Sequence, residues 1–254
     1  MPLYTEAVAV MTDAFEHLEC AISPPVPVKF RNSFAFRYAN KGIREAIIQK
    51  LARSISGLNA LSVLLSTGFA QEAGVLFRTL DEINEDIMFL ATAETNNERT
   101  KLHEKYLKAF FAEPVFSHPQ GTVDIAKSDL VPRKKIRAHV MNVLGKGINV
   151  SQALAVGEAL GTAFSGYVHA NSESIMDMYG GNPACFHLKG MPGTSRIDGY
   201  TQSSETYIYR GLMTTLTAAM AFGDVEVVAG LEIFLAKYEL ANGHIAPLPV
   251  DGGN

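Results

Sequence analysis

The sequence predicts an all-α fold, a multi-helix bundle of seven or eight helices with one irregular loop or small hairpin at about residues 180–199. Three observations predict it. Apolar residues recur at three- and four-residue spacing through most of the chain, the period of an amphipathic helix. The breaks between these stretches are rich in glycine and proline, as in Ser23-Pro24-Pro25-Val26-Pro27 and in the glycines and prolines between Gly180 and Gly199. Finally, 254 residues with 47% hydrophobic and 19% charged side chains are enough to bury a substantial core, and far from the composition of a disordered chain.

The elements follow in order. From Pro2 to about Cys20, the stripe is Leu3, Ala7, Val10, Met11, Ala14 and Leu18. A second helix is expected over about 41–66, on Ile43, Ile47, Leu51, Ile55, Leu58, Leu61 and Leu65, with Gly68 suited to ending it. A third over about 69–93, on Ala73, Leu76, Phe77, Leu80, Ile83, Ile87 and Leu90, makes a helical hairpin with the second. Thr95-Asn96-Asn97-Glu98 has the spacing of a capping box, which predicts a helix start near Asn97 running to Ala112. Pro114, Pro119 and Gly121 mark a connection, then residues 128–144 and 151–179 read as helices, the latter weakened by Gly157, Gly161 and Gly166. The last two are expected over about 203–222 and 225–240. The predicted organisation is one helical domain, 1–245, and an irregular tail, 246–254.

Composition excludes several classes. A formal net charge of -4 gives no global attraction to nucleic acid, so such a partner would have to meet a local basic patch. The start of the chain carries Glu6, Asp13, Glu16 and Glu19 where a signal peptide would have a basic head and an apolar run, and the two cysteines, Cys20 and Cys185, have no metal-type spacing. A cytoplasmic protein is expected. The most apolar stretches, 58–77 and 212–235, are interrupted by Gln71, Glu72, Asp224 and Glu226, which favours central helices of a bundle over membrane spans. No phosphate-loop pattern, HExxH or Gly-x-Ser-x-Gly element occurs. Histidines without i,i+4 partners give no ground for a metal, and no cofactor is expected.

The remaining candidates are charged and aromatic residues on otherwise apolar helices. Arg78 and Glu82 are four positions apart and so neighbours on a helix; either they form a solvated ion pair, or Arg78 holds an anionic group with Glu82 fixing its guanidinium. Tyr167 and His169 lie in Gly166-Tyr167-Val168-His169, beside a stripe of Phe164, Val168 and Ile175 expected to face the core. If His169 approached Glu82, the carboxylate would orient one ring nitrogen and leave the other for acid-base work. Since Val75 and Met88 add apolar residues beside the polar side of the third helix, Arg78, Glu82 and His169 are expected to form one polar cluster inside the bundle.

Arg78, Leu80, Glu82, Ser165, Val168 and His169 together resemble the pattern of a bacterial helical family known only as a domain of unknown function, over roughly 41–237. That family distantly resembles the HEPN helical domains, many of them ribonucleases of phage defence or toxin modules. HEPN ribonucleases carry an arginine, four to six residues, then a histidine, and the match here is Arg133 to His139. The resemblance implies that Arg133, Lys134, Lys135 and Arg137 contact phosphate while His139 exchanges a proton. Six helical residues turn by about 240°, so the pair would share a site only if Pro132 leaves the start irregular or a second subunit completes it.

The resulting expectation is a HEPN-like protein of a bacterial defence or stress system, an RNA-binding protein or ribonuclease with catalytic Arg133 and His139. The alternative is a non-catalytic helical module that binds a small anionic ligand or a protein partner through Arg78, Glu82, Tyr167, His169 and the glycine-rich loop before Tyr200. A homodimer is expected, because the apolar terminal helices carry more apolar surface than one bundle covers.

Overall fold

The computed structural model describes residues 2–30, 32–112, 130–144 and 164–242. Those residues are predominantly helical. In chain order they form α1 (Pro2–Cys20), a hairpin of β1 (Val26–Phe30) and β2 (Ser33–Arg37), α2 (Ile43–Thr67), α3 (Ala70–Thr95), α4 (Lys101–Phe110) and α5 (Arg133–Leu144). A helical turn at 164–168, α6 (Ser172–Met176), a two-residue pair of strands β3 (Tyr179–Gly180) and β4 (Cys185–Phe186), α7 (Ser195–Phe222) and α8 (Val225–Asn242) follow. Both hairpins are antiparallel. No helix among the described residues is long and apolar enough to cross a membrane.

The centre is built by α2, α3 and α7, with α1 packed against α2 and α7. The stripes read from the sequence face inward: Ile47, Leu51, Leu58 and Leu61 of α2 and Phe77, Leu80, Ile87 and Leu90 of α3 are fully buried, as are Met11 and Leu18 of α1. Each such side chain contributes roughly 1.5–3 kcal/mol by leaving water. The α2–α3 hairpin turns at Gly68, whose φ of 83° is left-handed and whose α-carbon is so close to the 190s loop that an added Cβ would lie 2.4 Å from the Pro192 nitrogen. The Gly68 carbonyl accepts from the Met191 amide at 2.9 Å, which ties that loop to the bundle.

Several boundaries differ from the sequence expectation, each for a local reason. Thr95 does not cap a helix; its hydroxyl donates to the Ala91 carbonyl, and α3 ends instead where Asn97 turns left-handed at φ 49°. The next cap is Thr100, whose side chain accepts from the His103 amide, with the His103 ring accepting from the Thr100 amide in return. Helix α5 starts at Arg133, its first turn closed by the Lys135 and Ile136 amides donating to the Pro132 carbonyl, and residues 130–132 are not helical. The long helix expected to 179 breaks at 169–171, where Ala170 has φ 50° and Asn171 caps α6 by accepting from the Ser174 amide at 2.9 Å. Its supposed core stripe does not form, since Val168 and Ile175 are exposed. Helix α7 starts eight residues early, at Ser195, because Ile197, Ser204 and Tyr207 bury one face despite Gly199. Helix α8 is peripheral, with only Leu231, Phe234 and Tyr238 buried. The expectations for 113–127, 151–163 and the tail 246–254 lie outside the described residues.

Candidate nucleic-acid interface

Arg133 and His139 both face α3, at different stations along it. Arg133 reaches Asp86 with Nη1, while its Nη2 donates to Glu85 at 2.7 Å and to the Glu82 carbonyl at 2.8 Å. Lys50 from α2 completes the pairing of Asp86 at 2.8 Å, and Arg137 binds the other oxygen of Glu85 at 2.6 Å. Both terminal nitrogens of Arg133 are thus spent on oxygens of α3. A phosphate could take them only by displacing the buried Asp86 carboxylate and the partly exposed Glu85.

His139 sits six residues beyond Arg133 on α5, a rise of about 9 Å, and meets α3 at Thr92 where Arg133 meets it at Asp86. Its Nε2 lies 2.9 Å from the Thr92 hydroxyl, which itself donates to the Phe89 carbonyl at 2.7 Å. Nε2 therefore carries the proton and Nδ1 the lone pair. His103 stacks on Phe89 with ring centroids 4.2 Å apart and meets His139 edge to face at 4.9 Å. Burial pushes both imidazoles below the ordinary histidine range, so both are neutral at pH 7. The pair reads as a structural wedge between α3, α4 and α5.

Of the second expected cluster, the structure brings together two members and not the third. Arg78 Nη2 meets Glu82 at 2.6 Å, with the carboxylate half-exposed and Arg78 Nη1 buried without a hydrogen-bond partner. His169 is exposed in the turn after 164–168, and its imidazole makes no hydrogen bond or ion pair with either residue. Helix breakage at Ala170 turns it outward. Tyr167 lies against α3 at Gly74, where an added Cβ would meet the ring at 2.7 Å, and its hydroxyl donates to Asp177 at 2.7 Å.

A different region concentrates basic and aromatic residues. From Ala21 to Arg44 the sequence holds Lys29, Arg31, Arg37, Lys41 and Arg44 and no carboxylate, in a chain of net charge -4. Four aromatic residues, Phe30, Phe34, Phe36 and Tyr38, are interleaved with them. Strand pairing sets Lys29 opposite Phe34 and Pro27 opposite Phe36, so these four residues share one face of the ribbon. Phe34 and Phe36 are 60% and 59% exposed on it, edge to face with centroids 5.5 Å apart. At the base of the ribbon, Phe36, Arg37, Tyr38 and Lys41 line a cavity of about 420 Å³ closed from below by Phe110 and Phe111. Large apolar rings left in water on a two-stranded ribbon are costly to solubility.

The proline run before this hairpin reads in the sequence as a helix stop and masks the strands that follow it. The signal was present: Val26, Val28 and Phe30, then Phe34 and Phe36, alternate on either side of Arg31-Asn32, a two-residue connection.

Compared with known protein families, curated proteins and solved structures, the chain matches none. Among the described residues, no group of three or more histidine, cysteine, aspartate or glutamate side chains is placed to hold a metal ion.

Proposed function

We propose that this protein binds single-stranded RNA through the β1–β2 hairpin, as the RNA-binding form of the HEPN-like reading. The observation that carries the proposal is the ribbon face with Phe34 and Phe36 exposed beside Lys29, leading to the basic, aromatic cavity at Arg37 and Lys41. Bases stack on exposed rings whatever their identity, and neighbouring cations follow the backbone; each stacked base is worth roughly 1–3 kcal/mol. The ribonuclease form would need Arg133 and His139 to act on one phosphodiester. Arg133 is held by Asp86 and Glu85 and His139 by Thr92, so binding without cleavage is the form the geometry favours.

Fluorescence anisotropy with a labelled 12-nucleotide oligouridylate tests this. Phe34→Ala and Phe36→Ala are each expected to weaken binding about tenfold, and Lys29→Gln with Lys41→Gln to flatten the salt dependence. His139→Ala should leave binding intact and total RNA uncut. Affinity unchanged by both ring substitutions would overturn the assignment of the hairpin, and cleavage abolished by His139→Ala would restore the nuclease form.

A further inference from the structure

A second cavity, of about 520 Å³, opens at the start of α7. Its wall is aromatic on one side, from Phe77, Phe164 and Tyr200, and polar on the other, from Ser195, Arg196 and Ser203. Ser195, Arg196, Tyr200 and Ser203 fall on one helical face over the first two turns of α7, so one element presents both kinds of group.

The rings are fixed. Phe77 stacks with Tyr200 at 6.0 Å and with Tyr207 at 4.3 Å, and Phe164 leans on Phe77 at 5.5 Å. Behind them runs a closed polar chain. Tyr200 donates to the Tyr167 hydroxyl at 2.5 Å, Tyr167 donates to one oxygen of Asp177, and Arg196 Nη1 binds the other at 2.9 Å. Burial pushes both phenols up, so each stays protonated and the chain keeps one direction. Asp177 anchors Arg196 by Nη1 alone, which leaves Nε and Nη2 for another acceptor. The Thr194 hydroxyl donates back to the Met191 carbonyl and does not cap the helix, so the first amides of α7 also lack a side-chain acceptor.

We propose that this cavity binds a small anion carrying a planar ring, with the ring against Tyr200 and Phe164 and the anionic group at Arg196 and the Ser195 hydroxyl, since the Ser203 hydroxyl is spent on the Gly199 carbonyl at 2.9 Å. The volume falls in the range of small-molecule sites. Nucleoside monophosphates and aryl carboxylates share this chemistry. The site lies on α7 and is independent of the hairpin.

Calorimetric titration of the full chain with the four nucleoside 5′-monophosphates, with 4-hydroxyphenylacetate, and with adenosine and inorganic phosphate separately tests the proposal. At least one ring-bearing anion is expected to bind saturably and at least tenfold more tightly than adenosine or phosphate alone, and which one distinguishes the two sources. Arg196→Gln should weaken that ligand at least tenfold, and Ser203→Phe, a change at an exposed position that fills the cavity, should abolish binding with the melting temperature kept. Phe34→Ala should have no effect. The proposal is overturned if no ring-bearing anion binds saturably, if adenosine binds as tightly, or if both variants bind as the wild type does.

Discussion

Protonating His103 requires a second ring proton on Nδ1, the atom that accepts from the Thr100 amide at 3.1 Å and closes the cap of α4. Nε2 already faces the Phe89 carbonyl at 3.0 Å, so the neutral ring satisfies both contacts and the cation satisfies one. The folded-state affinity for the proton is lowered, by burial first. Stability is therefore complete above the unfolded value of about 6.5 and is lost as pH falls below it, by up to about 1.4 kcal/mol per pH unit for one such group. Urea unfolding at pH 7.5, 6.5 and 5.5 should show this decline, with the His103 ring resonances titrating below the ordinary histidine value; a flat profile contradicts the account. Asp86 is the other residue on which much rests. It is 4% exposed and holds both Lys50 and Arg133, so Asp86→Ala should cost about 3–5 kcal/mol in the same measurement. Glu82→Ala should cost under about 1 kcal/mol, because its carboxylate is half in water. Spacing made the Arg78–Glu82 pair legible, since four residues on a helix are always neighbours. It could not reveal Asp86, whose partners come from 36 residues before and 47 after.

Helices with a strong apolar period, α1, α2 and α3, were legible because their core stripes leave no other packing. Elements whose boundaries rest on one polar side chain were not. Thr95 and Thr100 both suit a cap, and only the left-handed turn at Asn97 decides between them. The same competition broke the helix expected through His169: Asn171 offers its side chain to the Ser174 amide and starts α6. Asn171→Ala should therefore cost about 0.5–2 kcal/mol, read as a lower melting temperature, while an unchanged stability would mean the cap is idle. The β1–β2 hairpin is the opposite case. Its rings point to solvent, so Phe34→Ser with Phe36→Ser should leave thermal unfolding within about 0.5 kcal/mol of the wild type while reducing RNA affinity. A large loss of stability would show that the rings pack, and that the ribbon is a structural flap.

At the scale of the whole molecule, α8 is the element that one copy of the chain leaves unexplained. Its sequence is apolar on nearly every side, and such helices are normally surrounded by protein. Here it lies at the edge: Val225, Ile233 and Leu240 are 80%, 74% and 83% exposed, and Val10, Ala14, Val227 and Leu231 line an apolar groove of about 490 Å³ between α8 and α1. The sequence suggested central packing for this stretch because apolar content does not distinguish a helix covered by its own chain from one covered by another. A second copy is the expected cover. An 18-residue helix spans about 27 Å, and two such faces related by a twofold axis present the same residues to each other, so that Ile233 of one meets apolar surface of its mate. Charges at the groove rim, Asp13 and Glu226 against Lys237, would then set the register. Light scattering across a hundredfold concentration range should give twice the 27.5 kDa of one chain, and Ile233→Glu, which buries an unpaired carboxylate only in the pair, should return the single-chain mass with the helical circular dichroism unchanged. A wild-type mass of 27.5 kDa at every concentration would mean that α8 stands in water, and that its apolar face awaits a different partner.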